Sequence, residues 1–555
     1  MSASYDAVVI GAGHNGLVAA ATLADAGLSV LVVERAEVPG GALCSGELTL
    51  PGYVHDLFAT NVNLFLASSF YAQHGAELER LGFVPETSPR PFANAFPGGR
   101  ALGVTTDRAQ TLAELEAHHP SDALGWEALD AMFERLAPTL FSLYATRVPS
   151  WAMARAITGS MRRLGRDGAV ELARLLVSSC RELVDEQLAS EEAKALVAPW
   201  GLHLDFGPDV AGGAVFPFLE AFSDQRSGMS VARGGASRLV DALVGMLERR
   251  GGVLRTSTQA SRVVVSDGRA VGVELAGGER VRASRAVVAS VTPQALAGQL
   301  LGDRDLPAQA RRALGSYRYG PATMMLHLAL SGPVPWAAGD RLRSFAYVHL
   351  APYVDDLARA YCDALSGRLP AEPLLVVGQT SAVDPTRAPE GGHVVWVQVR
   401  PLPRRIAEDP EGPLAGRTWD EAKTAYAQRV MGKLERYAPG VSGLVRGRAV
   451  LSPADLARHD VNLVDGDSIS GSMHLRQNFL LRPALGFSGY RTPVQGLWMI
   501  GSATWPGAGL NAVSGQEAAR AILTKLRGRL HGGTWCRGVS RNGARNGDAR
   551  ALVEE

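Results

Sequence analysis

Three glycines near the start of the chain have the spacing that binds a diphosphate. The apolar stretch Tyr5–Ile10 is predicted to be a strand, and it runs directly into Gly11, Gly13 and Gly16. Glycines at these places allow a tight turn, a close backbone approach to phosphate, and close packing of a helix on the strand. The Ala-rich helix predicted from 17 to 26 would direct its N-terminal N–H groups and its dipole at the phosphates.

A second apolar strand ends at an acid that is suited to a ribose. The strand predicted from 29 to 33 is followed by Glu34, whose carboxylate can accept hydrogen bonds from the ribose of an adenosine. Beyond Arg35, the pair Gly40 and Gly41 forms a loop without side chains, past which a long cofactor could run. Strand, glycines, helix, strand and acid in this order predict a dinucleotide-binding unit.

A similar segment lies near the other end of the chain. A strand predicted from 496 to 500 ends at Gly501, and a Gly/Pro loop precedes a helix predicted from Leu510 to Leu526. The N-terminus of that helix would stabilise the negative charge of a reduced flavin. Two ligand-facing helix N-termini suit a long dinucleotide between them. We therefore expect FAD rather than NAD, which the first unit could hold largely alone.

Composition excludes several other classes of protein. The net charge of +1 over 555 residues gives no support for nucleic-acid binding. The four cysteines are scattered without a C-x-x-C pair, so neither a redox disulfide nor a zinc knuckle is indicated, and we expect no metal. The first strand starts too early for a signal peptide, and no apolar run is long enough to span a bilayer. A cytoplasmic protein in a reducing compartment is expected, either soluble or at a membrane surface.

The order of the predicted elements indicates a discontinuous α/β architecture. A Rossmann-like FAD-binding domain of the GR2 type is expected from residues 1–65, 228–298 and 490–527. It is interleaved with a mixed α+β substrate-binding domain from residues 66–227 and 299–489. Residues 528–555 are polar and aperiodic and are expected to be disordered.

These motifs resemble the phytoene desaturase-related flavoproteins, which include bacterial phytoene desaturases, carotenoid isomerases and retinol saturases. The nearest likeness is to the branch typified by pyridine nucleotide-disulfide oxidoreductase domain-containing protein 2, although the missing C-x-x-C pair excludes the usual dithiol chemistry. The resemblance covers nearly the whole chain to about Leu526. Besides the two glycine segments, it rests on residues 233–235, 267–273 and 473–493.

The resemblance implies which residues hold the cofactor. Ala260 falls where family members use backbone groups against adenine. Many relatives have an acidic residue where Ser502 stands, so a carboxylate contact to the ribityl chain is not expected here. Cys44 shows no signal for covalent attachment, and we therefore expect non-covalent FAD. The residues expected around the cofactor are Gly11, Gly13, His14, Asn15, Gly16, Glu34, Arg35, Gly40, Gly41, Ala42, Ala260, Gly501, Ser502, Gly507, Ala508, Gly509 and Leu510.

Candidate catalytic residues are less clearly marked. His55 and Asp56 follow the Gly40–Gly41 loop, and His474 lies in a polar cluster further along the chain. Each could act as an acid or base at the flavin, or could be structural. The residues expected to line the substrate cavity are Trp151, Phe218, Gln477 and Trp505.

An FAD-dependent oxidoreductase that removes hydride from a largely apolar, isoprenoid- or carotenoid-like substrate fits these observations, with oxygen or a quinone reoxidising the flavin. Desaturation and isomerisation stay open, as do oxidation of a smaller amine or alcohol and a non-catalytic flavin-bound partner-binding protein. Arginines between Arg147 and Arg166 accompany apolar residues, which indicates either contact with a membrane surface or a solvated basic helix face. The oligomeric state is left open.

Overall fold

Two seven-stranded sheets form the centre of the computed structural model, which describes residues 3–350 and 352–532. The strands are β1 Ser4–Ile10, β2 Val30–Val33, β3 Ser45–Gly46, β4 His55–Asp56, β5 Pro85–Ser88, β6 Phe92–Phe96, β7 Arg100–Val104, β8 Met229–Ala232, β9 Val253–Arg255, β10 Ala260–Ser266, β11 Arg269–Leu275, β12 Arg280–Ala289, β13 Ala322–Leu330, β14 Tyr347–Leu350, β15 Leu374–Gly378, β16 His393–Leu402, β17 Val445–Leu451 and β18 Leu497–Met499.

Helices cover the sheets and connect their strands. They are α1 His14–Asp25, α2 Asn63–Leu66, α3 Ser69–Arg80, α4 Arg108–His118, α5 Pro120–Tyr144, α6 Trp151–Val177, α7 Cys180–Gln187, α8 Glu191–Lys194, α9 Val215–Ser227, α10 Ser237–Arg249, α11 Pro293–Ala295, α12 Ala308–Gly315, α13 Val354–Ser366, α14 Thr380–Val383, α15 Trp419–Tyr437, α16 Val441–Leu444, α17 Pro453–His459 and α18 Val513–Gly532. A 3₁₀ helix spans Ala198–Leu204.

The first sheet has the order β10-β11-β12-β1-β2-β9, with β18 paired to β12. Its central strands β12, β1, β2 and β18 are parallel. The paired segments 7–10, 30–33 and 286–289 are buried and aliphatic, as expected for a sheet covered on both faces. A two-residue turn at Asp267 and Gly268 joins β10 to β11, and both residues have positive φ, of 50° and 71°. β12 is one continuous strand of ten residues, from Arg280 to Ala289.

The second sheet has the order β17-β13-β16-β15-β14-β6-β7. Alternate residues of its strands point to opposite faces, and both faces are buried. Leu326 and Val397 lie in the core beside α15, whereas Met325 and Trp396 lie in the core formed with α5 and α9. This second face is directed towards the helical region and carries polar residues as well.

The two sheets draw their strands from separate stretches of the chain. The first uses residues 4–33, 253–289 and 497–499, and the second uses residues 92–104 and 322–451. The domain boundaries themselves stay a prediction. We expected disorder from residue 528, but α18 continues to Gly532, so that expectation is wrong for residues 528–532. The rest of the tail lies outside the described residues. Among the described residues, no helix is both long and apolar enough to cross a membrane.

Candidate functional site

The glycines after β1 have distinct structural roles. Gly11 has a φ of +96°, and a Cβ placed on Gly16 would lie 2.1 Å from the Gly11 carbonyl oxygen, so Gly16 is required by packing. Gly13 precedes α1 in an ordinary extended conformation, and no side chain caps the helix. A Cβ on Gly13 would meet only the Gly40 oxygen, at 4.0 Å. An uncapped helix N-terminus beside open space fits a diphosphate.

A cleft brings the predicted segments from both ends of the chain together. Asn15 connects them, since its Oδ1 accepts a hydrogen bond of 3.1 Å from the Gly515 N–H. A Cβ on Gly515 would lie 2.2 Å from the Asn15 carbonyl oxygen, so α1 and α18 pack in close contact. The cleft is lined by Gly13, His14, Asn15, Gly40, Gly41, Ala42, Ser290, Val291, Thr292, Asp460, Asn462, Leu463, Ser468, Ser470, Ile500, Gly501, Ser502 and Ala503.

Three other predicted cofactor residues lie outside the lining of this cleft. The Glu34 carboxylate accepts hydrogen bonds from the Ala12 N–H at 2.7 Å and the Ala36 N–H at 2.9 Å, which hold it at the end of β2. The Arg35 guanidinium donates to backbone carbonyls at 458 and 459, so it joins α17 to this edge rather than pointing into the cleft. Ala260 begins β10, opposite Leu275. Their contacts with adenosine stay predictions.

The loop from Gly507 to Leu510 runs from the cleft towards an apolar region. A Cβ on Gly507 would lie 2.4 Å from the Met473 sulfur, and Ala508 packs in the same small core as Met473. Gly509 has a φ of +102°, and Leu510 is buried in the core of the first sheet. Arg482 is fully buried and donates to the Ser502 carbonyl at 2.6 Å, so it positions the cofactor loop.

An apolar cavity of about 450 Å³ lies next to this loop. Trp505, which the sequence predicts at the substrate cavity, is part of the wall of this cavity. The indole stacks on Tyr144 with ring centroids 5.1 Å apart, and its N–H donates to the Thr146 carbonyl at 3.0 Å. The cavity lies between α5 and α6 and is closed by Leu204, Phe206, Val215, Phe216, Met473, Leu475, Asn478 and Phe479.

The other three residues predicted to line the substrate cavity lie outside the lining of this one. Trp151 begins α6 on the surface and is 85% exposed. Phe218 is fully buried in an aromatic core with Phe133 and Phe222, because its face of α9 turns towards α5. The Gln477 amide is used to clamp backbone, since it accepts from the Arg318 N–H at 2.8 Å and donates to the Arg318 carbonyl at 2.9 Å. For Trp151 and Phe218 the sequence predicted a helix but not which side of it would be buried.

The structure also places Asp56 in a buried structural network. Its carboxylate accepts from the Arg387 guanidinium at 2.6 Å and from the Ala236 N–H at 2.7 Å. Burial favours the neutral acid, but Arg387 and the hydrogen bonds hold the pKa of Asp56 below its ordinary value. Arg387 also pairs with Asp384, which accepts from the Gly234 N–H. A carboxylate so fully occupied has no free oxygen for catalysis, and the network instead anchors the glycine loop before α10.

His55 is buried beside this network. Its Nε2 lies 2.7 Å from the Thr49 hydroxyl, its ring packs edge-on against His327, and burial lowers its pKa to about 4. It lies outside the lining of both the cleft and the apolar cavity. The predicted catalytic role of His55 is therefore not supported by its position.

His474 is the predicted catalytic residue that stays near the cavity. Its neighbours Met473 and Leu475 line the cavity wall, and its side chain is about one-third exposed. Nε2 donates to the Asp205 carbonyl at 2.6 Å and lies 3.1 Å from the Tyr361 hydroxyl. Burial raises the pKa of the Asp205 carboxyl to about 6. The Asp205 carboxyl can therefore hold a proton beside His474. The catalytic role of His474 stays a prediction.

A pair of acids on α9 was not found from the sequence. Burial raises the pKa of Glu220 to about 7, and burial with the neighbouring Glu220 carboxylate raises the pKa of Asp224 well above its ordinary value. Asp224 accepts from the Asn63 side chain at 2.9 Å, while its Oδ2 has no partner. Their i, i+4 spacing on a helix whose first five residues are apolar was the signal that could have shown them.

Comparisons with known proteins agree with this geometry. The protein of Rattus norvegicus named pyridine nucleotide-disulfide oxidoreductase domain-containing protein 2 is 29% identical, over 94% of each chain. The neurosporene-forming phytoene desaturase of Rhodobacter capsulatus is 25% identical, over 93% of each chain. The resemblance inferred from the motifs is thereby confirmed.

Solved structures and a family model give the same result for the fold. Cyclohexylamine oxidase from Brevibacterium oxydans superposes with a TM-score of 0.56 at 17% identity, over 94% of this chain and 99% of its own. The family model described as flavin containing amine oxidoreductase matches residues 16–523. Because this match spans nearly the whole chain and the cleft fits the family's cofactor, FAD, the chain belongs to the flavin containing amine oxidoreductase family.

Proposed function

We propose that this FAD-dependent oxidoreductase removes hydride from a largely apolar substrate that is bound in the cavity beside Trp505. The observation that carries the proposal is the composition of that cavity. Its lining is aliphatic and aromatic apart from Thr139, Ser160, Asn478 and the backbone at Gly212. Apolar walls with few polar groups are typical of sites that bind hydrophobic small molecules. A charged amine would lose its hydration here without gaining a charged partner.

The residues of the chain would position the reacting molecules. When bound, FAD supplies the hydride-accepting flavin ring, and the protein orients the substrate against it. Met473 contacts both the cavity and the glycine loop at Gly507, so the substrate cavity and cofactor loop share a wall. Trp505 and Tyr144 form a flat stacked surface in that wall, which would exclude water.

For the electron acceptor we propose oxygen or a quinone. The chain carries one strand-anchored G-x-G-x-x-G pattern, which the flavin cleft uses, and no second one for a nicotinamide cofactor. Direct hydride transfer between the flavin and NAD(P) would therefore need a nicotinamide site that lacks this motif.

The surface around the cavity supports entry of the substrate from a membrane. Met161 and Leu475 line the cavity and are also partly exposed. Nearby, Trp151 and Leu485 are 85% and 77% exposed, and α6 carries an exposed arginine at 155 among others. Apolar side chains flanked by arginines suit the headgroup layer of an anionic bilayer. The alternative is a solvated amphipathic helix.

Mass spectrometry of ligands that co-purify with the protein tests the substrate class, because it does not require guessing the reaction. We expect an apolar lipid or isoprenoid that bleaches the flavin when added back without oxygen. Rapid bleaching by a small polar amine, with lipids inert, would establish the amine oxidase alternative instead. A flavin that no added compound reduces would favour the partner-binding protein.

Vesicle sedimentation tests the membrane contact. Replacing Trp151 and Leu485 together by Ser should weaken binding to anionic vesicles, and added salt should weaken it further. Val38→Ser is the matched control, because Val38 is 60% exposed but is not part of the cavity wall. Equal sedimentation of all three proteins would rule out this contact.

A further inference from the structure

One acid, Asp460, lies in the wall of the flavin cleft, directly after the end of α17. The Arg35 guanidinium donates to the backbone carbonyls at 458 and 459, at 3.0 and 3.2 Å. On the other side, the Asn462 side chain accepts from the Thr292 N–H at 3.1 Å and donates to the Ser290 carbonyl at 3.4 Å. Contacts before and after Asp460 therefore hold it in place over the cleft.

The two carboxylate oxygens of Asp460 have different surroundings. Oδ1 accepts a hydrogen bond of 2.9 Å from the Asn462 N–H. Oδ2 faces the glycine pair, since a Cβ placed on Gly41 would lie 3.1 Å from Oδ2 and 3.8 Å from the Gly13 Cα. Within the described part of the chain, no donor forms a hydrogen bond to Oδ2. This oxygen can therefore contact a ligand at the turn where the backbone approaches the diphosphate.

The charges in the cleft decide which form of Asp460 fits beside the cofactor. Among the cleft-lining residues of the described structure, none is lysine or arginine. His14 is the other titratable residue in the lining, and burial lowers its pKa to about 4, so it is uncharged at neutral pH. The diphosphate of FAD is an anion. An ionised Asp460 would repel it, and the lining offers no cation that could offset the repulsion.

The groups that surround Asp460 also favour the protonated acid. Burial has the largest influence and raises the pKa of the carboxyl. The Asn462 N–H lowers this pKa, and the Glu34 carboxylate raises it. His459 and Arg35 lower it by less, so the pKa stays above its ordinary value. A diphosphate beside Oδ2 would raise it further, because a nearby anion disfavours a second negative charge.

We propose that Asp460 contacts the diphosphate of FAD as the protonated acid, with its Oδ2–H donating to a phosphate oxygen, so that cofactor binding takes up a proton from solution. This inference depends on FAD as the cofactor and not on the identity of the substrate. In the alternative arrangement, an ionised Oδ2 accepts a hydrogen bond from a ribose or ribityl hydroxyl of FAD. The lack of a cation in the cleft lining disfavours that arrangement.

The proton balance fixes the sign of the pH effect. The complex holds a proton on Asp460 that the apoprotein releases as the pH rises, so affinity for FAD should fall with increasing pH. We expect the dissociation constant to rise about tenfold between pH 6 and pH 8, where FAD itself does not titrate. The measurement is a titration of the apoprotein with FAD, followed by the change in flavin fluorescence.

Asp460→Asn tests the protonation state, because its amide presents an N–H at every pH and its oxygen can still accept from the Asn462 N–H. At pH 8 this variant should bind FAD about as tightly as the unaltered protein does at pH 6, and the pH dependence should be lost. Asp465→Asn is the matched control, since it makes the same charge change at an acid that pairs with Arg404 and lies outside the cleft lining. It should keep both the affinity and the pH dependence.

Calorimetry measures the proton directly. The heat of FAD binding is compared at one pH in two buffers that differ in ionisation enthalpy. The unaltered protein should take up more protons than Asp460→Asn, by up to one per FAD. Thermal unfolding of the apoproteins checks that the variants are folded. Absence of proton uptake in the unaltered protein would overturn the proposal whether or not Asp460→Asn folds.

Two further results would also overturn it. Affinity that does not change with pH in the unaltered protein would show that Asp460 takes up no proton. Weaker binding by Asp460→Asn at both pH values, with the pH dependence kept, would show that the ionised oxygen accepts from a hydroxyl of the cofactor. Both results would leave FAD as the cofactor and the apolar substrate cavity untouched.

Discussion

Replacing Gly13 should weaken flavin binding in proportion to the size of the new side chain, without harming the fold. The site of a Gly13 Cβ is empty of protein to 4.0 Å, and the φ of −67° suits any residue. The added carbon would instead occupy the space where the backbone approaches the diphosphate. Overpacking by one carbon costs about 1–3 kcal/mol, which corresponds to FAD binding roughly 10- to 100-fold weaker for Gly13→Ala. Gly13→Val adds two more carbons and should lose the flavin altogether.

Two neighbouring glycines provide the comparison. Gly16→Ala would push a Cβ to 2.1 Å from the Gly11 backbone oxygen, which cannot rotate away, so we expect a loss of several kcal/mol in folding stability. Gly27→Ala has open space at a φ of +83° and should cost about 1–2 kcal/mol through backbone strain alone, with flavin retained.

The assay is flavin content by visible absorbance together with thermal unfolding with and without added FAD. Gly13→Ala should unfold like the unaltered apoprotein, or slightly later because glycine is more flexible when unfolded. Its stabilisation by saturating FAD should be smaller by up to about 2.7 kcal/mol, the equivalent of a hundredfold change in affinity. A yellow Gly13→Val protein with unchanged affinity would refute the assignment of this cleft to the diphosphate.

Three further predictions follow from the buried charges and the motif count. Because burial raises the pKa of Glu220 from 4.5 to about 7, the folded protein holds a proton that the unfolded chain releases, so stability falls as pH rises across that interval. Glu220→Gln should remove up to about 3 kcal/mol of this fall in the free energy of unfolding, measured with denaturant at pH 5 and pH 8. An equal fall between the two pH values in both proteins would contradict this prediction. Arg387→Met leaves the Asp56 carboxylate buried and unpaired and should cost about 3–5 kcal/mol. Loss of activity at unchanged stability would instead restore a catalytic role for Asp56. In stopped-flow experiments the reduced flavin should be reoxidised by oxygen or a quinone, and fast reoxidation by NAD(P)⁺ alone would exclude that assignment.

The sequence by itself determined the cofactor unit and its family. The glycine turn after β1 and the Ala-rich helix that follows it depend on contacts within a few residues, so both can be read from the sequence. The helix begins at His14 rather than at the predicted residue 17. The second glycine segment, which precedes α18, can be read from the sequence for the same reason.

Only the tertiary structure decided what these elements face. Asn15 and Gly515 touch although 500 residues separate them, and Asp56 is neutralised by Arg387, 331 residues away. Trp151 and Trp505 looked equivalent as candidate cavity residues, yet one lies on the surface and the other in the cavity wall. Periodicity shows that a segment is helical, but the side of the helix that is buried depends on which distant surface packs against it. The faces of α6 and α9, and with them the substrate cavity, were therefore set by long-range packing.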